Sequence, residues 1–112
     1  MLKILNELGF NNADFLKNGL EMKVNEGGSN LSQGEKQLVC FARALCKKNK
    51  IVLFDEATAS IDIKTEERFQ EIMEREFADS TIFIIAHRIQ TIKKCNKVMV
   101  LDQGRVVEYD TY

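Results

Sequence analysis

The sequence predicts an α/β fold built around two parallel strands that are joined by a crossover helix. Residues 51–54 and 81–86 are short apolar runs rich in β-branched side chains, which is typical of strands in a parallel sheet. Between them, apolar side chains recur at helical spacing over residues 65–77. A strand, a helix and a second strand in this order predict a right-handed parallel pair. We expect the first strand to be buried on both faces.

Helical signals dominate the residues before the first strand. The spacing of apolar side chains predicts a short amphipathic helix over residues 2–8. Residues 11–19 are polar with a small apolar cluster and are compatible with a turn and one helical turn, and the glycine pair at 27–28 predicts a loop over residues 21–30. Ser32 and Glu35 then match the Ser-x-x-Glu capping box that begins a helix. In that motif the serine caps the first turn and the glutamate reaches back to it.

The residues after the second strand predict a short helix and a β-hairpin. Residues 88–94 are compatible with the helix. Residues 97–101 and 105–109 read as two strands joined by a tight turn at Gly104.

Composition limits the class of protein. The chain has 112 residues, of which 45% are hydrophobic and 29% charged, so it is globular rather than disordered. Its net charge of −1 gives no electrostatic argument for nucleic acid or a membrane surface as a partner. The apolar runs are too short to span a bilayer, and no signal peptide is evident. Because Cys40, Cys46 and Cys95 form no Cys-x-x-Cys pair, we expect buried free thiols in a reducing compartment.

Side chains that can act as acids, bases or metal ligands follow both predicted strands. Asp55 and Glu56 end the first strand, and His87 follows the second. In a parallel pair these side chains share one edge of the sheet, which is where open α/β sheets bind ligands. Two carboxylates there suggest a magnesium ion on a nucleotide phosphate. The alternatives are a solvated acidic turn for the carboxylates and a strand cap for His87.

The order of these features resembles the nucleotide-binding domain of ABC transporters. Residues 31–37 (Leu-Ser-Gln-Gly-Glu-Lys-Gln) look like the signature motif, and residues 51–56 look like the Walker B strand. Residues 59–62 resemble the D-loop, and residues 86–88 resemble the switch-histidine loop. The sequence around these motifs leans towards the multidrug-resistance-associated, subfamily C type. The resemblance covers essentially the whole chain from residue 19 onward.

The resemblance implies a partial P-loop NTPase-like domain. Residues 1–48 would be the end of the helical subdomain with the signature motif. Residues 49–112 would be the part of the sheet core with Walker B, the D-loop and the switch histidine. The Walker A pattern Gly-x-x-x-x-Gly-Lys-[Ser/Thr] does not occur in the 112 residues. We therefore expect a fragment matching the C-terminal half of such a domain, inactive as an ATPase by itself.

The resemblance also implies roles for individual residues towards ATP and Mg2+. Asp55 would hold Mg2+ through water, and Glu56 would act as the general base on the attacking water. His87 would contact the γ-phosphate and hold that water in place.

A second set of residues would serve a head-to-tail dimer of nucleotide-binding domains. Ser32, Gly34 and Glu35 would bind the ATP of the opposite domain, and Asp62 would lie at the dimer interface. Glu35 departs from the glutamine usual in the family, so we expect this signature to bind ATP more weakly.

Three functions follow, in order of preference. The first is part of an ATPase domain that drives export, bound to transmembrane domains at the cytosolic face of a membrane. The second is a non-catalytic truncated module that docks on an intact nucleotide-binding domain. The third is a soluble relative acting in DNA repair or chromosome structure, which the absence of coiled-coil heptads before residue 31 disfavours.

Overall fold

The computed structural model describes residues 1–112 and confirms the α/β class. Two short 3-10 helices, at Gly19–Glu21 and Glu26–Gly28, lie in and beside the segment predicted as a loop. The main elements, in chain order, are α1 (Leu2–Glu7), α2 (Ala13–Asn18), α3 (Gln33–Leu45), β1 (Ile51–Asp55), α4 (Ile63–Glu76), β2 (Thr81–Ile85), α5 (Ile89–Ile92), β3 (Val98–Asp102) and β4 (Arg105–Asp110).

The parallel pair forms as predicted. β1 and β2 run parallel in a continuous register from Ile51 opposite Thr81 to Asp55 opposite Ile85. The crossover between them is α4, a helix of 14 residues. It begins at Ile63, two residues before the predicted start, because the Asp62 side chain accepts a hydrogen bond from an amide of the first turn.

Aromatic packing joins the helices to one face of this sheet. The Phe41 ring of α3 stacks on the Phe69 ring of α4 with centroids 3.9 Å apart. Phe54 of β1 lies with its centroid 5.7 Å from that of Phe69 and 5.9 Å from that of Phe77. All four rings are buried. This cluster therefore fixes α3 and α4 against the end of β1 that carries the carboxylates.

The prediction that β1 is buried on both faces is wrong. Val52 and Phe54 face the helices, whereas Ile51 is 60% exposed and Leu53 is 75% exposed. The side chains of a strand alternate between its two faces. In this structure α3 and α4 cover only one face of a two-stranded sheet, so the second face of β1 has no covering layer.

The β-hairpin forms a separate sheet. β3 and β4 are antiparallel, with an irregularity in register between Val100 and Leu101. Their turn places Gln103 at φ 45° and Gly104 at φ 76°, both left-handed. A hairpin turn with two left-handed central residues matches the right-handed twist of its strands. The sequence indicated the glycine but not the left-handed glutamine.

The cysteines are free, as predicted, but they are not buried. Cys40 and Cys46 are exposed, and Cys95 is only partly buried. Cys40 lies on the solvent side of α3 and Cys46 lies just beyond its last residue. Partial burial raises the pKa of the Cys95 thiol. None of the helices combines the length and the apolar composition that crossing a membrane requires.

We expect Phe69→Ala to lower the free energy of unfolding by about 3–5 kcal/mol, because it removes the ring shared by the aromatic cluster. The control is Phe83→Ala, which truncates a ring that is 56% exposed on the uncovered sheet face. That change should cost less than about 1 kcal/mol. Urea unfolding of both variants measures the difference, and equal losses would contradict this description of the core.

Candidate functional site

The carboxyl edge of the parallel pair brings Glu56 and His87 into direct contact. His87 Nε2 lies 2.8 Å from Glu56 Oε1. Because an ionised carboxylate can only accept, the imidazole Nε2–H donates this hydrogen bond. The Glu56 amide donates to the Ile85 carbonyl at 3.0 Å, which extends the β1–β2 pairing one residue past Asp55. Parallel pairing therefore sets the positions of both side chains, which are solvent-accessible.

The backbone at Glu56 adopts an uncommon conformation. Its φ of 47° is left-handed, which few residues other than glycine adopt. The Glu56 carbonyl accepts from the Ala59 amide at 3.0 Å and from Gln37 Nε2 at 3.3 Å. Such outliers persist where the surroundings hold them, and they cluster at functional sites.

Gln37 is a residue of this site that the sequence analysis missed. Its side-chain amide on α3 donates to the Glu56 carbonyl, and its Oε1 accepts from the Ser60 amide at 3.1 Å. It thereby joins the helix of the predicted signature motif to the turn that follows β1. A signal was present in the sequence, because Gln37 lies four residues before the buried Phe41 on the inward face of an amphipathic helix.

Asp55 lies beside Glu56 at the end of β1, opposite Ile85 in the register, with its side chain exposed. No group of three or more histidine, cysteine, aspartate or glutamate side chains converges to form a complete metal cage. Mg2+ commonly takes only one or two protein carboxylates and completes its shell with water and substrate phosphates. The accessible Asp55 carboxylate therefore fits Mg2+ delivered with a nucleotide.

The capping box at the start of α3 forms as predicted. The Ser32 amide donates to Glu35 Oε2 at 2.7 Å, and the Glu35 amide donates to Ser32 Oγ at 3.2 Å. Both side chains stay partly or fully accessible at the positive end of a 13-residue helix. The Glu35 carboxylate is thus fixed beside the amides that would face an anion.

The structure shows why position 34 requires a glycine, which the sequence did not reveal. A Cβ atom at this position would lie 2.7 Å from the Ser60 carbonyl oxygen, closer than real contacts allow. The glycine therefore lets α3 approach the turn between β1 and α4. This contact places Ser32, Gly34 and Asp62 along one groove of about 320 Å3.

Asp62 serves first as the cap of α4. Its Oδ1 accepts from the Thr65 amide at 3.1 Å, and its Oδ2 accepts from the Thr65 hydroxyl at 2.6 Å. The hydroxyl hydrogen bond is the largest cause that lowers the pKa of Asp62 below its ordinary value. The predicted site residues therefore form two groups: Asp55, Glu56 and His87 at the sheet edge, and Ser32, Gly34, Glu35 and Asp62 along the groove.

Comparison with known proteins finds similarity along nearly the whole chain. A family model described as "ABC transporter" matches residues 1–59. "Bile pigment transporter 1" of Saccharomyces cerevisiae is 53% identical over 92 residues, which cover 82% of this chain and 6% of that protein. "ATP-binding cassette sub-family C member 3" of Rattus norvegicus is 48% identical over 93 residues, which cover 83% of this chain and 6% of that protein.

A solved structure gives the same result for the fold. The structure of a bacterial Atm1-family ABC exporter with ATP bound matches with a TM-score of 0.83 and 38% sequence identity. The match covers 97% of this chain and 19% of that chain. The chain spans about 6% of the length of the two curated relatives.

We expect Asp62→Asn to lower the melting temperature at neutral pH, because the neutral amide is a weaker acceptor for the Thr65 amide and hydroxyl. A lowered folded-state pKa means that the ionised carboxylate favours folding above the ordinary aspartate pKa. That contribution is lost as the pH falls through the lowered pKa. The difference between the two proteins should therefore shrink in acid.

Thermal unfolding followed by circular dichroism from neutral to strongly acidic pH measures this effect. Asp79→Asn, which removes an exposed carboxylate beyond the end of α4, is the control for the loss of one surface charge. A difference between wild type and Asp62→Asn that stays constant over the whole range would contradict the capping role.

Proposed function

The chain belongs to the ABC transporter family, and from that premise we propose that it forms part of the ATP-binding and ATP-hydrolysing domain of an exporter. The observation that carries the proposal is the 2.8 Å contact between Glu56 and His87, at the edge of the sheet where Asp55 ends β1. Its relatives include members of subfamily C, which is the subfamily that the sequence motifs predict.

The geometry supports general-base chemistry on water. Glu56 Oε1 accepts from His87, so Oε2 remains available to accept a proton from a water molecule. The resulting hydroxide attacks the γ-phosphorus, the bond to the β-phosphate oxygen breaks, and ADP and phosphate leave. In phosphoryl transfer most of the catalysis comes from positioning and electrostatics. His87 holds the carboxylate in one orientation, and we assign its exposed imidazole the further role of contacting the γ-phosphate.

Asp55 is the residue that would hold Mg2+. When bound, Mg2+ neutralises charge on the nucleotide phosphates. The role of the chain itself is to present one exposed carboxylate beside the general base. The continuous pairing of β1 with β2 fixes that position.

The groove along α3 is assigned to a second nucleotide. We assign Ser32, Gly34 and Glu35 to the ATP held by an opposite nucleotide-binding domain in a head-to-tail dimer, with Asp62 at the interface. Support comes from the shared groove and from the positive end of α3 beside it. Residues 1–48 would then be the end of the helical subdomain, and residues 49–112 part of the sheet core.

The exposed sheet face also supports membership of a larger domain. Leu53 and Ile85 point away from the helices with more than half of their surface exposed, and exposed apolar patches of this kind mark contact surfaces. We assign this face to the rest of the nucleotide-binding domain. That domain would work with transmembrane domains at the cytosolic face of a membrane.

We expect Glu56→Gln, in the complete nucleotide-binding domain, to reduce ATP hydrolysis roughly 100- to 10,000-fold, because glutamine cannot take the proton from water. ATP binding should persist, since the substitution removes no phosphate ligand. Phosphate release and nucleotide binding measure the two effects separately. Glu71→Gln, on the exposed side of α4, is the matched control. Hydrolysis at the wild-type rate in Glu56→Gln would refute the proposed mechanism.

We expect Glu35→Gln to raise the affinity for ATP in the intact dimer by roughly two- to fivefold, because it removes a negative charge beside the helix amides. Glutamine also satisfies the capping box, so the thermal stability should change little. Equilibrium binding of ATP tests this, with Glu26→Gln as the control for the loss of an exposed carboxylate outside the groove. An unchanged affinity would show that the Glu35 charge does not weaken the site.

A further inference from the structure

Glu66 is the one carboxylate that the fold buries. Glu66 is 7% exposed, and the other two buried polar residues, Gln70 and Thr91, lie beside it. Burying a carboxylate is unfavourable unless hydrogen bonds and an opposite charge compensate. A charge in such a position on α4 therefore calls for an explanation.

The Glu66 carboxylate has a partner for each oxygen. Oε1 accepts from the hydroxyls of Thr58 at 3.1 Å and Thr91 at 3.2 Å. Oε2 pairs with the guanidinium of Arg88. Gln70 Nε2 donates to the Thr91 hydroxyl at 3.1 Å and completes the network.

The partners of Glu66 come from both segments that carry the proposed catalytic side chains. Thr58 lies two residues after Glu56 in the turn that follows β1, and Arg88 directly follows His87. One buried carboxylate thus links the turn of the general base to the loop of the histidine.

Packing between these two segments is incomplete. A cavity of about 250 Å3 is lined by Glu56 and Thr58 on one side and by His87, Arg88 and Thr91 on the other. The cavity is open to solvent where Glu56 and His87 line it, so side-chain packing there holds the two segments less tightly than it would in a closed interior. Hydrogen bonds and the ion pair therefore carry the constraint that side-chain packing does not supply.

We propose that Glu66 is a positioning residue for the reaction at Glu56 and His87. By holding Thr58 and Arg88, it fixes the two segments relative to each other and keeps the general base and the imidazole in contact. We assign Glu66 itself no contact with the nucleotide or the attacking water, because its carboxylate is buried and bonded to groups within the protein. The inference rests on the proposed function, since it assumes that Glu56 and His87 act on one substrate.

The test is ATP hydrolysis by Glu66→Gln in the complete nucleotide-binding domain. The amide oxygen can still accept from Thr58 and Thr91, but the charge that pairs with Arg88 is gone. We expect kcat to fall roughly 10- to 100-fold, because small displacements of catalytic groups have effects of this size. The KM for ATP should stay within about twofold, since no nucleotide contact is lost.

Two further variants separate positioning from folding. Glu67→Gln changes the adjacent glutamate, which is exposed, and should retain wild-type kcat. Thr58→Val keeps the shape of the side chain but removes the hydroxyl that joins Glu66 to the turn of Glu56. It should lower kcat in the same direction with the KM unchanged, and it provides the test if Glu66→Gln does not fold.

Wild-type kcat in folded Glu66→Gln, or in Thr58→Val when that is the folded variant, overturns the inference. Equal losses in Glu66→Gln and Glu67→Gln overturn it as well, because they would indicate a general effect of charge on α4. Failure of the proposed function gives a different result, namely hydrolysis that persists in Glu56→Gln. Loss of activity in Glu56→Gln with normal activity in Glu66→Gln rejects the positioning role alone.

Discussion

The parallel hydrogen bonding between β1 and β2 is the constraint on which the rest of the structure depends. It starts one residue before β1, where the Thr81 amide donates to the Lys50 carbonyl, and ends where the Glu56 amide donates to Ile85. Because both strands end at the same edge, the residues that follow them must meet there. The aromatic cluster of α3 and α4 then holds that edge from one side. The contact of Glu56 with His87 is a direct consequence of this register.

Local features of the fold were predictable because their causes lie within a few residues. The capping box of Ser32 and Glu35 needs only four positions, and its two hydrogen bonds are present. The βαβ order and the hairpin follow from changes in hydrophobic period and from Gly104. Even the shared edge of Glu56 and His87 could be predicted, since parallel pairing leaves no other placement for residues at those strand ends.

Tertiary features were not predictable from the same signals. The exposure of Leu53 depends on which elements cover each face of the sheet. An apolar run in the sequence does not indicate which face will be covered. The hydrogen-bond partners of Gln37 lie 19 or more positions away in the sequence. Those of Glu66 lie 8 to 25 positions away. The exposure of Cys40 likewise depends on which side of α3 faces solvent. The role of Asp62 as a helix cap, by contrast, has a local signal, because an aspartate lies three residues before Thr65, whose amide it accepts from.

The most direct test of the account is a double-mutant cycle between Glu56 and His87, measured by single-turnover phosphate release from the complete nucleotide-binding domain. Glu56→Gln and His87→Ala should each slow hydrolysis by about 100-fold or more. If the two side chains act together on one water, the double variant should be little slower than the slower single variant. Losses that multiply in the double variant would show that the two residues act independently, and would contradict the shared site.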